Sequence, residues 1–455
     1  MKSRNEATKV ETSRSAKLYQ RGCKVMPGGV SRNTVLRSPY PLYAERGEGC
    51  YVTDIEGVKR IDFSNNMTSL IHGHAHPAII AKVTEQLHKG TAFAMATEVE
   101  VNYAEFMCDR NSSFDKIRFV NSGTEAVMAS LKAARAFTGR PKIAKVEGAY
   151  HGLYDFAEVS QTASPENWGD EDSPASVPVA YGTPPSALND VIIIPFNDVE
   201  RSVAILNRHA NTLACVLLDL MPHRVGLIPA SQEFVDALRK WTHENGALLI
   251  CDEVITYRND YGGAQNYYNL LPDLTTMGKI IGGGFPVGAL AGRKDVMDVM
   301  AFRADKILFP QSGTFSANPI TMVAGHMTMK MFNHVVINEI NQLTERARKQ
   351  ITEAIKISGI IACVTGSGSM LRIHLKKKVP ENYRSTYMGP REIKLIKVLL
   401  DYLFNNGIMM INTCSAAMST VMTTQEIDTL SEIILQGFRQ IKDEQNRAFE
   451  KNSDL

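Results

Sequence analysis

One lysine of the chain has neighbours that could change its chemistry. Lys279 follows Gly278, and it precedes two isoleucines and the glycines Gly282–Gly284. Apolar surroundings favour the uncharged amine, because burial destabilises the ammonium form and lowers its pKa. An uncharged lysine amine can form a Schiff base with a carbonyl group, and glycines let the backbone approach a ligand closely. A surface turn is the alternative interpretation, so other residues decide between the two.

A second group of residues could bind an anion. The segment Asn121–Glu125 follows a predicted strand and begins a predicted helix, and it contains Ser122, Gly123 and Thr124. The N-terminus of a helix exposes unpaired N–H groups and a partial positive charge, which together attract phosphate groups. An ordinary helix cap would have the same sequence, so this segment alone does not decide between a cap and a phosphate site.

Three further segments carry side chains suited to a planar ligand. Tyr150 and His151 follow a predicted strand and could cover an aromatic ring, although a buried Tyr–His pair would look the same. Asp252 ends an apolar strand, where a buried carboxylate needs a partner such as a protonated ring nitrogen. A helix cap or a metal carboxylate is the alternative, and we expect no metal because no cluster with ligand spacing accompanies Asp252. Thr314 lies in another hydroxyl-bearing turn before a helix.

Strands that alternate with helices position these residues. The predicted strands are 116–120, 142–146, 191–196, 214–220 and 247–252, and the predicted helices include 125–137 and 233–245. This alternation is typical of an α/β fold with a mainly parallel sheet between helices. Ligands bind such sheets at the carboxyl ends of the strands. The sheet therefore predicts that the anion site, the aromatic ring, the acid and the lysine lie together.

Together these residues fit pyridoxal 5′-phosphate. In this interpretation Lys279 forms an imine with the cofactor, and Asp252 keeps the pyridine nitrogen protonated. The ring then withdraws electrons from the α-carbon of the substrate.

The two ends of the chain predict a separate, smaller α+β domain. Short strands near residues 43–63 suggest an antiparallel meander, and helices and strands follow one another from residue 338 onward. We expect residues 1–63 to be an N-terminal segment of the small domain, residues 64–325 to form the large cofactor-binding domain, and residues 326–455 to complete the small domain.

Composition favours a soluble, globular protein of the cytoplasm. The 455 residues are 44% hydrophobic and 22% charged, and the net charge of +2 gives no reason to expect nucleic acid or a membrane as a partner. The seven cysteines are dispersed, which is typical of a reducing compartment rather than a disulfide framework. Residues 1–20 lack the apolar core of a signal peptide, and no stretch resembles a membrane span.

Several motifs together resemble the class III aminotransferases, which are fold-type I pyridoxal-phosphate enzymes, and this resemblance implies a mainly parallel seven-stranded sheet in the large domain. The resemblance runs from about Met26 to Thr423 and is strongest to the branch of glutamate-1-semialdehyde aminomutases and β-amino-acid aminotransferases. The motifs that carry it are Met26–Arg32, Gly73–Pro77, Asn121–Ala126, Glu147–Gly152, Asp252–Val254, Gly278-Lys279 with Gly282–Gly284, and Gly313–Phe315.

The resemblance implies a role for each of these residues. It makes Lys279 the Schiff-base lysine and proton carrier, with Asp252 at the ring nitrogen and Tyr150 and Val254 on opposite faces of the ring. The remaining implied ligands are Ser122, Gly123 and Thr124 at the phosphate, His151 beside the ring, Thr314 at the phosphate of the neighbouring subunit, and Arg32 at the substrate carboxylate. The role of Thr314 implies a homodimer with its active sites at the interface.

The implied activity is transfer of an amino group from an amino acid, including β-amino acids, or an amine to a 2-oxo acid. An aminomutase, lyase or epimerase on the same scaffold is the alternative, and a non-catalytic relative is a third. The chain departs from the family where Asp219-Leu220 replaces Glu-Pro, and it lacks the late arginine at Asn412–Cys414. The aminomutases have Ser-Trp-Gly-Pro where this chain has Asn66–Ser69, which argues against isomerisation.

Overall fold

In a computed structural model of the protein, residues 13–302 and 306–450 are described. The strands are β1 (Ala44–Glu48), β2 (Tyr51–Asp54), β3 (Lys59–Asp62), β4 (Lys116–Val120), β5 (Lys142–Val146), β6 (Gly169–Asp170), β7 (Ser173–Pro174), β8 (Val191–Ile194), β9 (Leu213–Leu218), β10 (Leu248–Asp252), β11 (Leu274–Gly278), β12 (Gly288–Gly292), β13 (Cys363–Thr365), β14 (Met370–His374), β15 (Ile408–Met409) and β16 (Ser415–Ala417). The helices are α1 (Arg14–Cys23), α2 (Pro77–Lys89), α3 (Glu98–Asp109), α4 (Gly123–Thr138), α5 (Asp155–Glu158), α6 (Pro185–Asn189), α7 (Val199–Asn207), α8 (Gln232–Glu244), α9 (Lys294–Met297), α10 (Pro319–Met331), α11 (His334–Ser358), α12 (Tyr383–Thr386), α13 (Pro390–Asn405) and α14 (Thr424–Glu450).

A seven-stranded sheet in the order β4-β12-β11-β10-β9-β5-β8 forms the centre of the fold. The strands from β11 to β8 run parallel to one another, whereas β12 is antiparallel to both of its neighbours. The predicted α/β fold with a mainly parallel seven-stranded sheet is therefore confirmed. Every residue of β9, β10 and β11 is buried, which agrees with helices covering both faces.

The register of the sheet aligns the ends of strands that are far apart in sequence. Gly288 of β12 pairs with Val120 at the end of β4 and with Gly278 at the end of β11. In the neighbouring strand, Asp252 of β10 pairs with Thr276 of β11. The turn after β4, the lysine after β11 and the carboxylate that ends β10 thus meet at one edge of the sheet.

Smaller sheets join segments from both ends of the chain. Strands β1, β2 and β3 form one sheet with β15, and β13, β14 and β16 form another. The pairing of β15 with β3 is parallel, so a strand near the C-terminus extends the N-terminal meander. This arrangement agrees with a small domain built from both termini, and the boundaries at residues 63 and 325 stay a prediction. Within the part of the chain described, no helix has the length and apolarity to cross a bilayer.

Candidate active site

A cavity of about 400 Å³ lies at the carboxyl ends of the parallel strands. It brings together every residue predicted for the site except one: Arg32, Ser122, Gly123, Thr124, Tyr150, His151, Asp252, Val254 and Lys279. The exception is Thr314, which is exposed and lies outside this lining.

Lys279 follows β11 directly and lines the floor of the cavity. Its backbone has a φ of 50°, in the left-handed region that residues other than glycine seldom adopt. Such backbone strain often accompanies functional residues. Burial lowers the pKa of the Lys279 amine, while the carboxylates of Asp252 and Asp219 act in the opposite direction. The expectation that desolvation favours the neutral amine therefore agrees with the surroundings of Lys279.

Asp252 is held in place by three hydrogen bonds. Its Oδ2 accepts from Nδ1 of His151 at 2.6 Å, and its Oδ1 accepts from the amide of Val254 at 3.0 Å and the hydroxyl of Thr276 at 3.1 Å. Burial lowers the pKa of His151, which favours a neutral imidazole that donates its Nδ1 proton to the carboxylate. The carboxylate of Asp252 is thereby fixed in orientation beside the cavity.

The residues of the predicted anion site lie at the N-terminus of α4. The hydroxyl of Ser122 caps the helix by accepting from the amide of Glu125 at 3.1 Å, so the cap interpretation of this residue is correct. The amides of Gly123 and Thr124 belong to the first turn, where a helix offers no internal acceptors. These N–H groups are the donors that a phosphate at this end of the helix would use.

Two glycines leave no room for side chains around this turn. A Cβ atom at Gly123 would lie 3.0 Å from both methyl groups of Val254, and one at Gly152 would lie 2.6 Å from the Thr124 hydroxyl. Gly152 also has a φ of 95°, which a residue with a side chain rarely adopts. Val254 and the segment after His151 therefore form two walls of a cradle around the first turn of α4.

Tyr150 borders the open side of the cavity, where 38% of its surface is exposed. The guanidinium carbon of Arg224 lies 5.5 Å from the centre of the Tyr150 ring. Burial raises the pKa of the Tyr150 hydroxyl, so the ring stays neutral at physiological pH. An exposed and uncharged ring at this place is suited to cover a planar ligand.

Asp219 is a residue of the site that the sequence interpretation left outside it. It follows β9, the neighbour of β10, lines the cavity and is almost fully buried. Burial and the charge of Asp252 raise the pKa of Asp219 well above its usual value. The signal that could have identified it is its position, because a residue after one parallel strand lies beside the residue that ends the adjacent strand.

Arg32 lies at the exposed edge of the cavity. Its Nη1 donates to Oδ1 of Asn66 at 2.7 Å. Within residues 13–302 and 306–450, no carboxylate forms an ion pair with this guanidinium. Its positive charge is therefore available to a ligand that enters the cavity.

A larger cavity of about 800 Å³ continues from the first. The two share Arg32, Asn66, Gly284 and Phe285. Apolar side chains from both ends of the chain line much of the larger cavity, among them Leu36, Leu42, Ile79, Met388, Ile396, Leu400 and Phe404. A ligand near Lys279 could therefore extend an apolar group past Arg32.

The geometry fits the predicted cofactor. The cradle at α4 offers unpaired amides to a phosphate and has no space for further side chains. Asp252 supplies an oriented carboxylate for a ring nitrogen, and Lys279 supplies an amine with a lowered pKa. Groups of these three kinds are suited to the phosphate, the ring nitrogen and the aldehyde of pyridoxal 5′-phosphate.

Comparison with known proteins agrees with this chemistry. The family described as aminotransferase class-III matches residues 34–441. A glutamate-1-semialdehyde 2,1-aminomutase from Methanothermobacter thermautotrophicus is 35% identical over 371 residues, which are 81% of this chain and 86% of that protein.

Two solved structures have the same fold over nearly their whole length. An omega-transaminase from Sphaerobacter thermophilus is 42% identical with a TM-score of 0.92, covering 94% of this chain and 99% of that one. A β-phenylalanine aminotransferase from Variovorax paradoxus is 28% identical with a TM-score of 0.83, covering 96% of each chain. The chain therefore belongs to the class III aminotransferases, and it is an enzyme of that pyridoxal-phosphate-dependent family.

Proposed function

We propose that the protein transfers an amino group from an amino acid with an apolar side chain, of the β-amino-acid class, to a 2-oxo acid. The observation that carries this proposal is that one cavity holds both a lysine amine and an arginine guanidinium. Lys279 lies at the floor, and Arg32 lies at the exposed edge without a carboxylate partner among the described residues. A guanidinium in this position binds a carboxylate through charge-assisted hydrogen bonds.

The predicted residues of the cavity have separate parts in this reaction. When bound, pyridoxal 5′-phosphate supplies an electron sink that stabilises negative charge on the substrate carbon. Lys279 holds the cofactor and then carries the proton that leaves the substrate carbon, for which a lowered amine pKa is suited. Asp252 binds the ring nitrogen, Tyr150 and Val254 enclose the ring, and Gly123 with its neighbours Ser122 and Thr124 binds the phosphate.

The larger cavity supports an apolar donor. It begins at Arg32 and Asn66, so a substrate with its carboxylate at Arg32 can extend an apolar group into it. The similarity to a β-phenylalanine aminotransferase supports the same substrate class, and the similarity to an omega-transaminase supports amino-group transfer.

Isomerisation of a semialdehyde is the second candidate, and the 35% identity to an aminomutase favours it. Two features support transamination instead. Asn66–Ser69 stands where the aminomutases have Ser-Trp-Gly-Pro, and the larger cavity beyond Arg32 is lined largely by apolar side chains. A panel of α-amino acids, β-amino acids and simple amines with pyruvate or 2-oxoglutarate separates the two. We expect turnover with apolar β-amino acids and, when the 2-oxo acid is omitted, accumulation of the pyridoxamine form of the cofactor. Rapid conversion of glutamate-1-semialdehyde without any response to the panel would contradict the proposal.

Replacement of Lys279 tests the assignment of the central residue. Borohydride treatment of the holoenzyme should attach the cofactor covalently to the peptide that contains Lys279, as detected by mass spectrometry. Lys279→Ala should lose both this adduct and roughly a thousandfold of turnover, because a positioned proton carrier alone contributes about 10²- to 10⁴-fold. Attachment to Lys145, which is fully buried, would overturn the assignment.

We also propose that the enzyme is a homodimer of the cytoplasm. Large apolar side chains are exposed on the isolated chain, among them Met95 at 83% and Phe302 at 74%. Thr314 is exposed and outside the cavity of its own chain, which supports a role at the phosphate of a neighbouring subunit. All seven cysteines are free thiols, as is common in a reducing compartment.

A further inference from the structure

Four consecutive residues beside the cavity have a left-handed backbone. The φ angles of Asn65, Asn66, Met67 and Thr68 are 47°, 48°, 57° and 72°. None of the four is glycine, so each one adopts a conformation in which its Cβ crowds the backbone. Left-handed residues rarely follow one another, and a run of this kind persists only where its surroundings fix it.

Buried polar groups fix this left-handed turn at its beginning. Oδ1 of Asp62 accepts from the amides of Ser64 and Asn65, both at 2.9 Å. The side-chain amide of Asn65 is fully buried and donates to the carbonyl of Ala417 at 2.5 Å. The start of the turn is therefore tied to β3 and to β16, near opposite ends of the chain.

A fully buried arginine fixes the end of the turn. Nη1 of Arg258 donates to the carbonyl of Thr68 at 3.0 Å, Nε donates to the hydroxyl of Ser369 at 2.8 Å, and Nη2 donates to the carbonyl of Met418. No carboxylate pairs with Arg258 in the part of the chain that is described. The guanidinium thus joins the turn to the C-terminal segments. These hydrogen bonds help to keep the turn left-handed.

The residue that this turn presents to the cavity is Asn66. Its Oδ1 accepts from Nη1 of Arg32 at 2.7 Å, and its Nδ2 donates to the hydroxyl of Ser69 at 3.2 Å. The same hydroxyl donates to the carbonyl of Asn66 at 2.9 Å, so it accepts from the side-chain amide and orients the amide oxygen towards Arg32. An amide oxygen is neutral, and it holds a guanidinium without cancelling its charge.

We propose that Asn66 is the positioning residue for Arg32 and that the left-handed turn exists to present it. This inference rests on the proposed function, in which Arg32 binds the carboxylate of the donor. A carboxylate at position 66 would pair with Arg32 and compete with the substrate. An apolar side chain would leave the guanidinium free to rotate away from the cavity. The neutral acceptor keeps Arg32 both oriented and charged.

The test uses Asn66→Gly and Asn66→Asp in the holoenzyme. Glycine adopts a left-handed φ without strain, so Asn66→Gly removes the acceptor and keeps the turn. We expect KM for a β-amino acid to rise about tenfold, the loss of one hydrogen bond to a charged group, while kcat changes less than twofold. KM for a primary amine without a carboxylate should stay unchanged. Asn66→Asp should raise KM for the β-amino acid by a similar factor, with the same amine unaffected.

Two controls separate this inference from the proposed function. Asn269 is exposed and also has a φ of 48°, so Asn269→Gly makes the same backbone change away from the cavity and should leave KM unchanged. In an Arg32→Ala background, Asn66→Gly should have no further effect on KM, because the two residues then no longer interact. If Arg32→Ala leaves KM for the β-amino acid unchanged, the carboxylate assignment of the proposed function fails. If Arg32→Ala raises KM and Asn66→Gly does not, the positioning role of Asn66 is wrong.

Discussion

Asp219 and Asp252 bring two buried carboxylates to the ends of adjacent strands. Asp252 accepts hydrogen bonds from three donors. Among the described residues, the donor to Asp219 is the amide of Met221, at 2.9 Å. Burial and the neighbouring charge raise the pKa of Asp219, so it keeps a proton to a higher pH than an ordinary aspartate. The two acids therefore differ in their hydrogen bonding, and Asp252 is the one that His151 orients.

Asp219→Asn should stabilise the cofactor-free protein at neutral pH. In the unfolded chain Asp219 ionises near pH 4, whereas in the folded protein its pKa is raised. The folded state thus binds more protons over the interval between the two values, and wild-type stability falls as pH rises through it. The asparagine does not ionise and can still accept from Met221, so the melting temperature of the variant should exceed that of the wild type at neutral pH.

The advantage of this variant should disappear as the pH approaches 4. Melting curves of both proteins from pH 4 to pH 8 measure the difference. Asp170→Asn changes an exposed aspartate in the same way and should leave the melting temperature unaltered across this range. A difference for Asp219→Asn that is constant with pH would show that ionisation of this residue is not its cause.

At the scale of elements, helix α4 has different requirements at its two ends. Its N-terminus lies in the cradle formed by Val254 and the segment after His151, where added atoms have no space. Its C-terminus ends at Gly139, which has a φ of 70° and an open surrounding. Gly123 permits close packing at the N-terminal end of this helix, and Gly139 lets the chain turn at the other end.

Gly152→Ala should weaken cofactor binding. The added Cβ would lie 2.6 Å from the Thr124 hydroxyl and 2.8 Å from its Cα, so the first turn of α4 has to shift. Overpacking of this kind costs about 1–3 kcal/mol, and we expect the Kd of the cofactor to rise roughly tenfold in fluorescence titrations. Gly139→Ala introduces comparable backbone strain with no atom within 4 Å and should leave the Kd unaltered. Equal effects of both variants would point to general destabilisation.

The sequence predicts most elements of the large sheet, because their apolar runs and helical periodicity are strong. The prediction of a strand at 142–146 matches β5, and the predicted helices at 125–137 and 233–245 match α4 and α8 within two residues at each end. Strand β12 escaped prediction because Gly288–Gly292 is composed mostly of glycine and alanine, which have low strand propensity. A Cβ at Gly288 would lie 2.0 Å from the carbonyl oxygen of Ser122, so packing rather than propensity decides this strand.

The candidate site was predictable where a residue type signals its own chemistry, as with Lys279 and Asp252. The left-handed turn was not, because its conformation depends on Asp62 and Arg258, which lie elsewhere in the sequence. Asn66 was consequently noticed only as part of the departure from the aminomutases, and its contact with Arg32 was not predicted. Asp219 was noticed only as a departure from its family, since its place in the cavity depends on strand order.

For the whole molecule, the proposed dimer makes a prediction about shared sites. Thr314→Glu should abolish activity by repelling the cofactor phosphate of the neighbouring subunit, and Lys279→Ala abolishes activity within its own subunit. Hybrids formed from the two inactive variants contain one site with both residues intact. Activity should therefore return on mixing under conditions that allow subunit exchange. A mixture that stays inactive, although native mass spectrometry detects the hybrid, would place Thr314 in its own subunit's site.

Strand β12 also sets the order in which the enzyme can mature. It lies between β4 and β11 and comes after both in the chain, so Ser122 and Lys279 become neighbours only when β12 has been made and inserted. When Lys279 has just left the ribosome, the nascent chain already contains Ser122, Asp252 and Lys279. Without β12, however, these residues do not yet form a cofactor site. The cofactor therefore binds only after the sheet is complete. During refolding, the visible absorbance of the bound cofactor should lag behind the far-ultraviolet signal of secondary structure.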